Sequence, residues 1–318
     1  MNNSQIINAD WIDGLKTLES ESVQCCVTSP PYWGLRDYGV SGQLGLEKTP
    51  EEYVEKIVAG FREVKRVLRN NGTLWLNLGD SYAHPNTGGN GATGGDDKST
   101  LQSKMPPHNT TPVKKFMPKD LQPKNLIGIP WKVAFALQSD GWYLRQDIIW
   151  SKPNPMPESV TDRCTKSHEY IFLLSKSARY YYDNEAIKEE TLTFDFSDRN
   201  RDLTRLNNTP GRTRMAGLKT NQYEMRNRRS VWSVNTQPYK EAHFATFPQE
   251  IPRTCILAGS KKGDTILDPF CGSGTTGEVA LKLDRNFIGI ELNQKYVTDL
   301  IIPRLDNVDP LFRGIENG

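Results

Sequence analysis

Apolar residues in this chain fall into short runs with two different periods, and the order of the runs predicts an alternating α/β architecture. Ile6 and Ile7 form a strand leading to Asp10, a short helix follows near Trp11 to Leu18, and Val23 to Val27 form a second strand. Between Pro50 and Arg69 the apolar positions Tyr53, Ile57, Phe61, Val64 and Leu68 repeat at helical spacing, and Asn71-Gly72 reads as the helix stop. The run Thr73 to Leu78 is a strand. Alternation resumes with a helix over Pro130 to Leu137 and strands over Leu144 to Trp150 and around Tyr170 to Leu174. Such βα alternation predicts a mostly parallel sheet.

Two stretches break the pattern. Residues 84 to 124 carry five glycines between Gly88 and Gly95, then prolines and lysines, so they cannot pack a core and are expected to be a mobile loop that orders over a polyanion. Asn184 to Val234 is polar, rich in arginine and weakly periodic.

Charge sharpens the second point. The formal net charge is only +2, yet Lys98 to Lys124 contributes +5 and Arg199 to Arg229 contributes +7, leaving −10 for the rest. An acidic body with two basic excursions suits an enzyme that grips nucleic acid, although solvated loops with incidental charge look the same. At 318 residues the chain can bury a sizeable core. No run approaches the length of a membrane span and the start has no basic-then-apolar leader pattern, so a cytoplasmic protein without membrane contact is expected. The five cysteines form no CxxC pair and the four histidines are scattered, so neither disulfides nor a metal site is expected.

Directly after the second strand comes Thr28-Ser29-Pro30-Pro31-Tyr32-Trp33. Two prolines fix φ and withdraw backbone N–H donors, so the turn presents carbonyl oxygens, the Ser29 hydroxyl and an aromatic ring as a rigid set of acceptors. An exocyclic amino group fits such a set, while a strand-ending polyproline turn with packing aromatics is the plainer alternative.

A second motif lies about 240 residues later. Thr265-Ile-Leu-Asp268-Pro-Phe270-Cys-Gly272-Ser273-Gly274-Thr275-Thr276 reads as strand, glycine turn and helix start, followed by a strand ending at Glu291, 17 residues beyond Gly274. The glycines permit close backbone approach to a ligand, and an acid at that strand tip suits ribose hydroxyls. Gly272-x-Gly274-x-x-Gly277 also matches the dinucleotide fingerprint, which makes a nicotinamide-dependent oxidoreductase a rival. Against it, only 44 residues follow Gly274, and the acidic Asp268 suits a cationic cofactor better than a pyrophosphate.

The pair of motifs, in this order, resembles the DNA amino methyltransferases that modify exocyclic nitrogens, in the permuted group whose catalytic motif precedes the cofactor motif. The resemblance implies a Rossmann-like sheet flanked by helices, circularly permuted, with a small target-recognition insert. It implies three parts: 1–184 catalytic, 185–235 target recognition and 236–318 cofactor binding. It places S-adenosyl-L-methionine against Asp10, Thr246, Phe247, Asp268, Phe270, Gly272, Ser273, Gly274, Thr275, Thr276 and Glu291. It makes Ser29, Pro30, Pro31 and Tyr32 the catalytic turn, with Tyr32 stacking on a base flipped out of double-stranded DNA. The DNA-binding candidates are Arg36, Lys114, Lys115, Arg212, Arg214, Arg226, Arg228 and Arg229. The family also admits a cognate restriction nuclease and a homodimer as protein partners. Cytosine C5 methylation uses a Pro-Cys nucleophile and this chain has no Pro-Cys dipeptide, so direct transfer to an amine is expected. Ser in the first motif position is commoner in the N4-cytosine group and Asp among adenine enzymes, so Ser29 points to cytosine N4 ahead of adenine N6. A non-catalytic DNA-binding protein is a further alternative, disfavoured by both motifs being intact.

Overall fold

The computed structural model describes residues 4–83, 121–190, 225–236 and 247–308, with the backbone of 315–316. Lys114, Lys115, Arg212, Arg214, Thr246 and most of the 84–124 stretch lie outside the described residues.

The first unit is β1 (Ser4–Asn8), α1 (Trp11–Lys16) and β2 (Val23–Thr28), followed by α2 (Pro50–Val67) and β3 (Leu68–Leu78). Pro50 stands in the first turn of α2 and Thr49 caps it, accepting the Glu52 N–H. The helix stops at Val67, four residues earlier than the Asn71-Gly72 signal suggests. Leu68 is already extended and pairs with Val23, and a register shift between Val23 and Cys25 absorbs Asn71-Gly72 inside the strand. Gly72 is needed there for space, since a Cβ would sit 3.0 Å from the carbonyl oxygens of Arg69 and Gln24.

Next come α3 (Ile129–Ser139), β4 (Tyr143–Ser151), β5 (His168–Ser175), the short β6 (Glu189–Glu190) and β7 (Met225–Arg226), and β8 (Val231–Ser233). The chain continues through α4 (Glu250–Gly259), β9 (Thr265–Asp268), α5 (Thr275–Lys282) and β10 (Asn286–Glu291). It closes with α6 (Gln294–Tyr296), a π-helical turn over Val297–Ile301, α7 (Ile302–Asp306) and β11 (Ile315–Glu316).

Among the described residues nine strands make one sheet in the order β11-β1-β10-β9-β2-β3-β5-β4-β8, and of these only β5 runs against its neighbours. The late strands β9 and β10 slot between β1 and β2, so one Rossmann-like sheet is completed by segments far apart in sequence. Helices α1, α2 and α3 pack on one face, and α4, α5 and the C-terminal helical run pack on the other. β2 lies mid-sheet and is buried at every position, as a parallel strand covered on both faces should be.

The described ends of the expected recognition region belong to this body. β8 pairs with β4, and Ile187, Trp232 and Val234 are core residues. A boundary at 185–235 therefore cuts through the sheet. No helix of the described residues is long and apolar enough to cross a membrane.

One packing contact yields a stability prediction. Trp11 lies flat on the backbone of α2, where a Cβ on Gly60 would fall 1.9 Å from a ring carbon. Gly60→Ala should lower stability by about 2–3 kcal/mol despite the helix propensity of alanine. Denaturant unfolding checks this, and an unchanged midpoint would show that Trp11 can move away at little cost.

Candidate functional site

The parallel register decides where chemistry collects. Asn8 pairs with Glu291 and Gly289 with Asp268, so the carboxyl ends of β1, β10, β9, β2 and β3 share one edge of the sheet. Ligands of open α/β sheets bind at that edge. A cavity of about 310 Å³ opens there, lined by both motifs: Ser29 to Tyr32 at one end and Asp268 to Ser273 with Glu291 at the other. They touch directly, for Thr28 Oγ1 donates to Asp268 Oδ1 at 2.7 Å across 240 residues of sequence.

At the glycine end, Asp268 Oδ1 also accepts the Phe270 N–H at 3.1 Å. Glu291 accepts Gly272 N–H on one oxygen and Asn293 N–H on the other, both at 2.8 Å. Burial pushes the Asp268 carboxyl up, and burial likewise raises Glu291 to about 7 although those N–H bonds oppose it. Among the described residues no basic side chain is ion-paired with either acid. A buried Asp268 and a half-buried Glu291 facing one cavity suit a ligand bearing a cation and hydroxyl groups.

Around them, Asp10 caps α1 through Ile12 N–H (2.9 Å) and also lines the cavity. Phe270 packs against Trp11 with ring centroids 4.7 Å apart, and Ser273, Thr275, Thr276 and Phe247 complete this wall. Gly274 does not line the cavity. Its φ of 78° starts α5, and a Cβ would meet Ile301 at 3.5 Å, so it acts by turning the chain.

At the other end, Tyr53 Oη donates to the Pro31 carbonyl at 2.9 Å, while the Pro30 carbonyl has no donor among the described residues. Ser29 Oγ lies 3.2 Å from Asn77 Oδ1 and 3.3 Å from Tyr32 Oη. The Tyr32 ring packs on the backbone at Gly79, and its hydroxyl reaches Glu169 Oε2 at 2.7 Å. Burial raises the Tyr32 hydroxyl well above its ordinary range, and the Glu169 charge adds to the shift. The buried thiols of Cys26, Cys255 and Cys271 are pushed well up and Cys25 to about 12, so none is poised as a thiolate.

Arg36 lies in the loop that roofs the Glu291 end, hydrogen-bonded to Tyr38 and near Tyr296, and therefore faces the cofactor side of the cavity. Arg226 is ion-paired with Glu189 at 2.9 Å, and Arg228 with Glu250 at 3.4 Å. Both stand at the approach to β8 with an acidic partner. Arg229 alone of the three is mostly exposed, with Glu189 at 3.9 Å. Residues that sequence reasoning passed over also line the cavity, among them Asn77, Trp150, Lys152 and Glu169. Asn77 is the one polar residue in the run Leu74 to Leu78, which was the available signal.

The sequence model of one family, described as DNA methylase and named for N6 and N4 methyltransferases, matches residues 23–302. The chain belongs to this DNA methylase family. The methylase is 48% identical to the type II methyltransferase M.Cfr9I of Citrobacter freundii over 97% of this chain and 90% of that one. It is 49% identical to M.SmaI of Serratia marcescens over 92% and 88%. Among solved structures, the cytosine-N4-specific PvuII DNA methyltransferase superposes with a TM-score of 0.61 at 16% identity, covering 99% of this methylase and 95% of that chain. A putative DNA modification methylase of Thermus thermophilus, solved with S-adenosyl-L-methionine, gives 0.59 at 20% identity over 99% and 98%. These likenesses carry the fold.

Proposed function

We propose that this methylase moves a methyl group from S-adenosyl-L-methionine to the exocyclic amino group of a base flipped out of duplex DNA, with cytosine N4 as the target. The observation that carries the reading is the Thr28–Asp268 hydrogen bond, because it joins the acceptor turn and the glycine turn in one chamber. Of the residues lining the cavity, Glu291 would accept from ribose hydroxyls, Asp268 would hold the cofactor's ammonium group, and Trp11, Phe270 and Asp10 would hold the adenine. The cofactor supplies an electrophilic methyl group. Ser29 Oγ and the Pro30 carbonyl accept the two amine N–H bonds, which draws the nitrogen toward a tetrahedral shape with its lone pair aimed at the methyl group. The proton becomes acidic only as the new bond forms, so no strong base is required. Tyr32 offers a ring face to the flipped base.

Ser29 in the first motif position supports cytosine, and so does the N4-specific enzyme among the structural relatives. Expression in a host that lacks its own DNA methylation, followed by nucleoside analysis of genomic DNA, tests the choice of base. N4-methyldeoxycytidine is the expected product, and N6-methyldeoxyadenosine in its place would overturn the assignment. A homodimer and a partner nuclease belong to the same proposal and rest on family membership alone.

A further inference from the structure

Four side chains from four strand ends meet behind the acceptor turn. Asn77 ends β3, Lys152 follows β4, Glu169 begins the antiparallel β5, and Tyr32 follows β2. Lys152 Nζ is ion-paired with Glu169 Oε1, both side chains are mostly buried, and the ammonium also lies 4.3 Å from the Trp150 ring centroid. Glu169 Oε2 faces Tyr32 Oη at 2.7 Å and Asn77 Nδ2 at 3.1 Å.

The direction of every hydrogen bond in this cluster follows from one group. A carboxylate can only accept. The Asn77 amide must therefore turn its Nδ2 toward Glu169, an orientation reinforced by the Tyr170 carbonyl at 3.1 Å. Asn77 Oδ1 is then left facing Ser29 and Tyr32. Tyr32 has one proton, and the charged oxygen is the stronger acceptor. The Ser29 proton is thus directed inward to Asn77 Oδ1, and the Ser29 lone pairs turn out to the chamber where the amine would bind.

We propose that Glu169, ion-paired with Lys152, is the positioning residue that fixes hydrogen-bond polarity in the acceptor turn and so makes Ser29 an acceptor for the target amine. Asn77 is the relay. The inference rests on the proposed methyl transfer to DNA. Neither Glu169 nor Lys152 is called on to touch the cofactor, so cofactor binding separates this role from a collapse of the site.

The test uses the full chain, labelled S-adenosyl-L-methionine and unmethylated bacterial DNA. If the unsubstituted protein labels no DNA, the functional reading itself fails, whatever the variants do. Given labelling, Glu169→Gln should slow single-turnover transfer by about tenfold or more while cofactor and duplex dissociation constants hold, because the new amide lets the cluster reverse. The reciprocal pair Glu169→Gln with Asn77→Asp restores an acceptor-only group beside Ser29 and a donor opposite it. That double variant should recover most of the lost rate. A merely structural role would make the double variant worse than the single one. Unchanged transfer in Glu169→Gln, or no recovery in the double variant, would overturn the proposal.

Discussion

Ser29→Ala should reduce methyl transfer by about 10²–10³-fold while leaving the affinity for S-adenosyl-L-methionine unchanged. The magnitude comes from what the hydroxyl does as the reaction proceeds. In the ground state the amine is a weak donor whose lone pair is delocalised into the ring. As the nitrogen takes on positive charge, its hydrogen bonds to Ser29 Oγ and the Pro30 carbonyl strengthen, so the interaction is worth most in the transition state. Alanine removes one of two acceptors and opens no large cavity, since Ser29 is only partly buried at the chamber wall. The cofactor end is built from other residues, which is why its binding should persist. Tyr32→Ala should behave alike, with weaker duplex binding added, because it removes the ring face as well as the Glu169 contact at 2.7 Å. Single-turnover assays with equilibrium cofactor binding give the answer. Near-normal turnover in both variants would remove the acceptor turn from the mechanism.

The second large effect falls on the cofactor end and depends on pH. Glu291 has its carboxyl raised to about 7 in the free protein, with burial the main cause. A ligand that carries a cation and donates hydroxyls prefers the ionised form, so binding must expel the proton wherever the free protein still holds it. Affinity should therefore weaken by up to about tenfold per pH unit below 7 and level off above it. Glu291→Gln keeps the shape, loses the charge-assisted hydrogen bonds, and should weaken binding by about 10–100-fold at pH 8. It should also abolish that part of the pH dependence which centres near 7. Calorimetric titration of both proteins across this range measures it, and parallel curves for the two would show that Glu291 is not the titrating group.

How much could be read from sequence depended on whether a residue acts with its chain neighbours. Ser29 to Tyr32 and Asp268 to Glu291 were legible because each is a strand followed by a turn of special composition, and strand ends in a parallel sheet meet at one edge. Asn77, Lys152 and Glu169 were hidden because their meeting depends on β5 running antiparallel between β3 and β4, which βα alternation does not reveal. The surroundings of the arginines were hidden for a related reason. A run of positive charge says nothing about the acids opposite, and Glu189 and Glu250 approach Arg226 and Arg228 from other elements. Asn71-Gly72 carried a valid helix-stop composition, but pairing with β2 claimed the chain from Leu68 onward. Local chemistry was readable, while contacts made by the fold were not.

The proposed mechanism needs a single chamber in which donor and amine would face each other with no enzyme nucleophile between them, in keeping with the raised cysteine thiols. Stereochemistry reports on this directly. Transfer from S-adenosyl-L-methionine carrying a methyl group made chiral with hydrogen isotopes should place that group on an amino nitrogen of DNA with inverted configuration. Retention would reveal two successive displacements through an enzyme-bound methyl group and would contradict direct transfer.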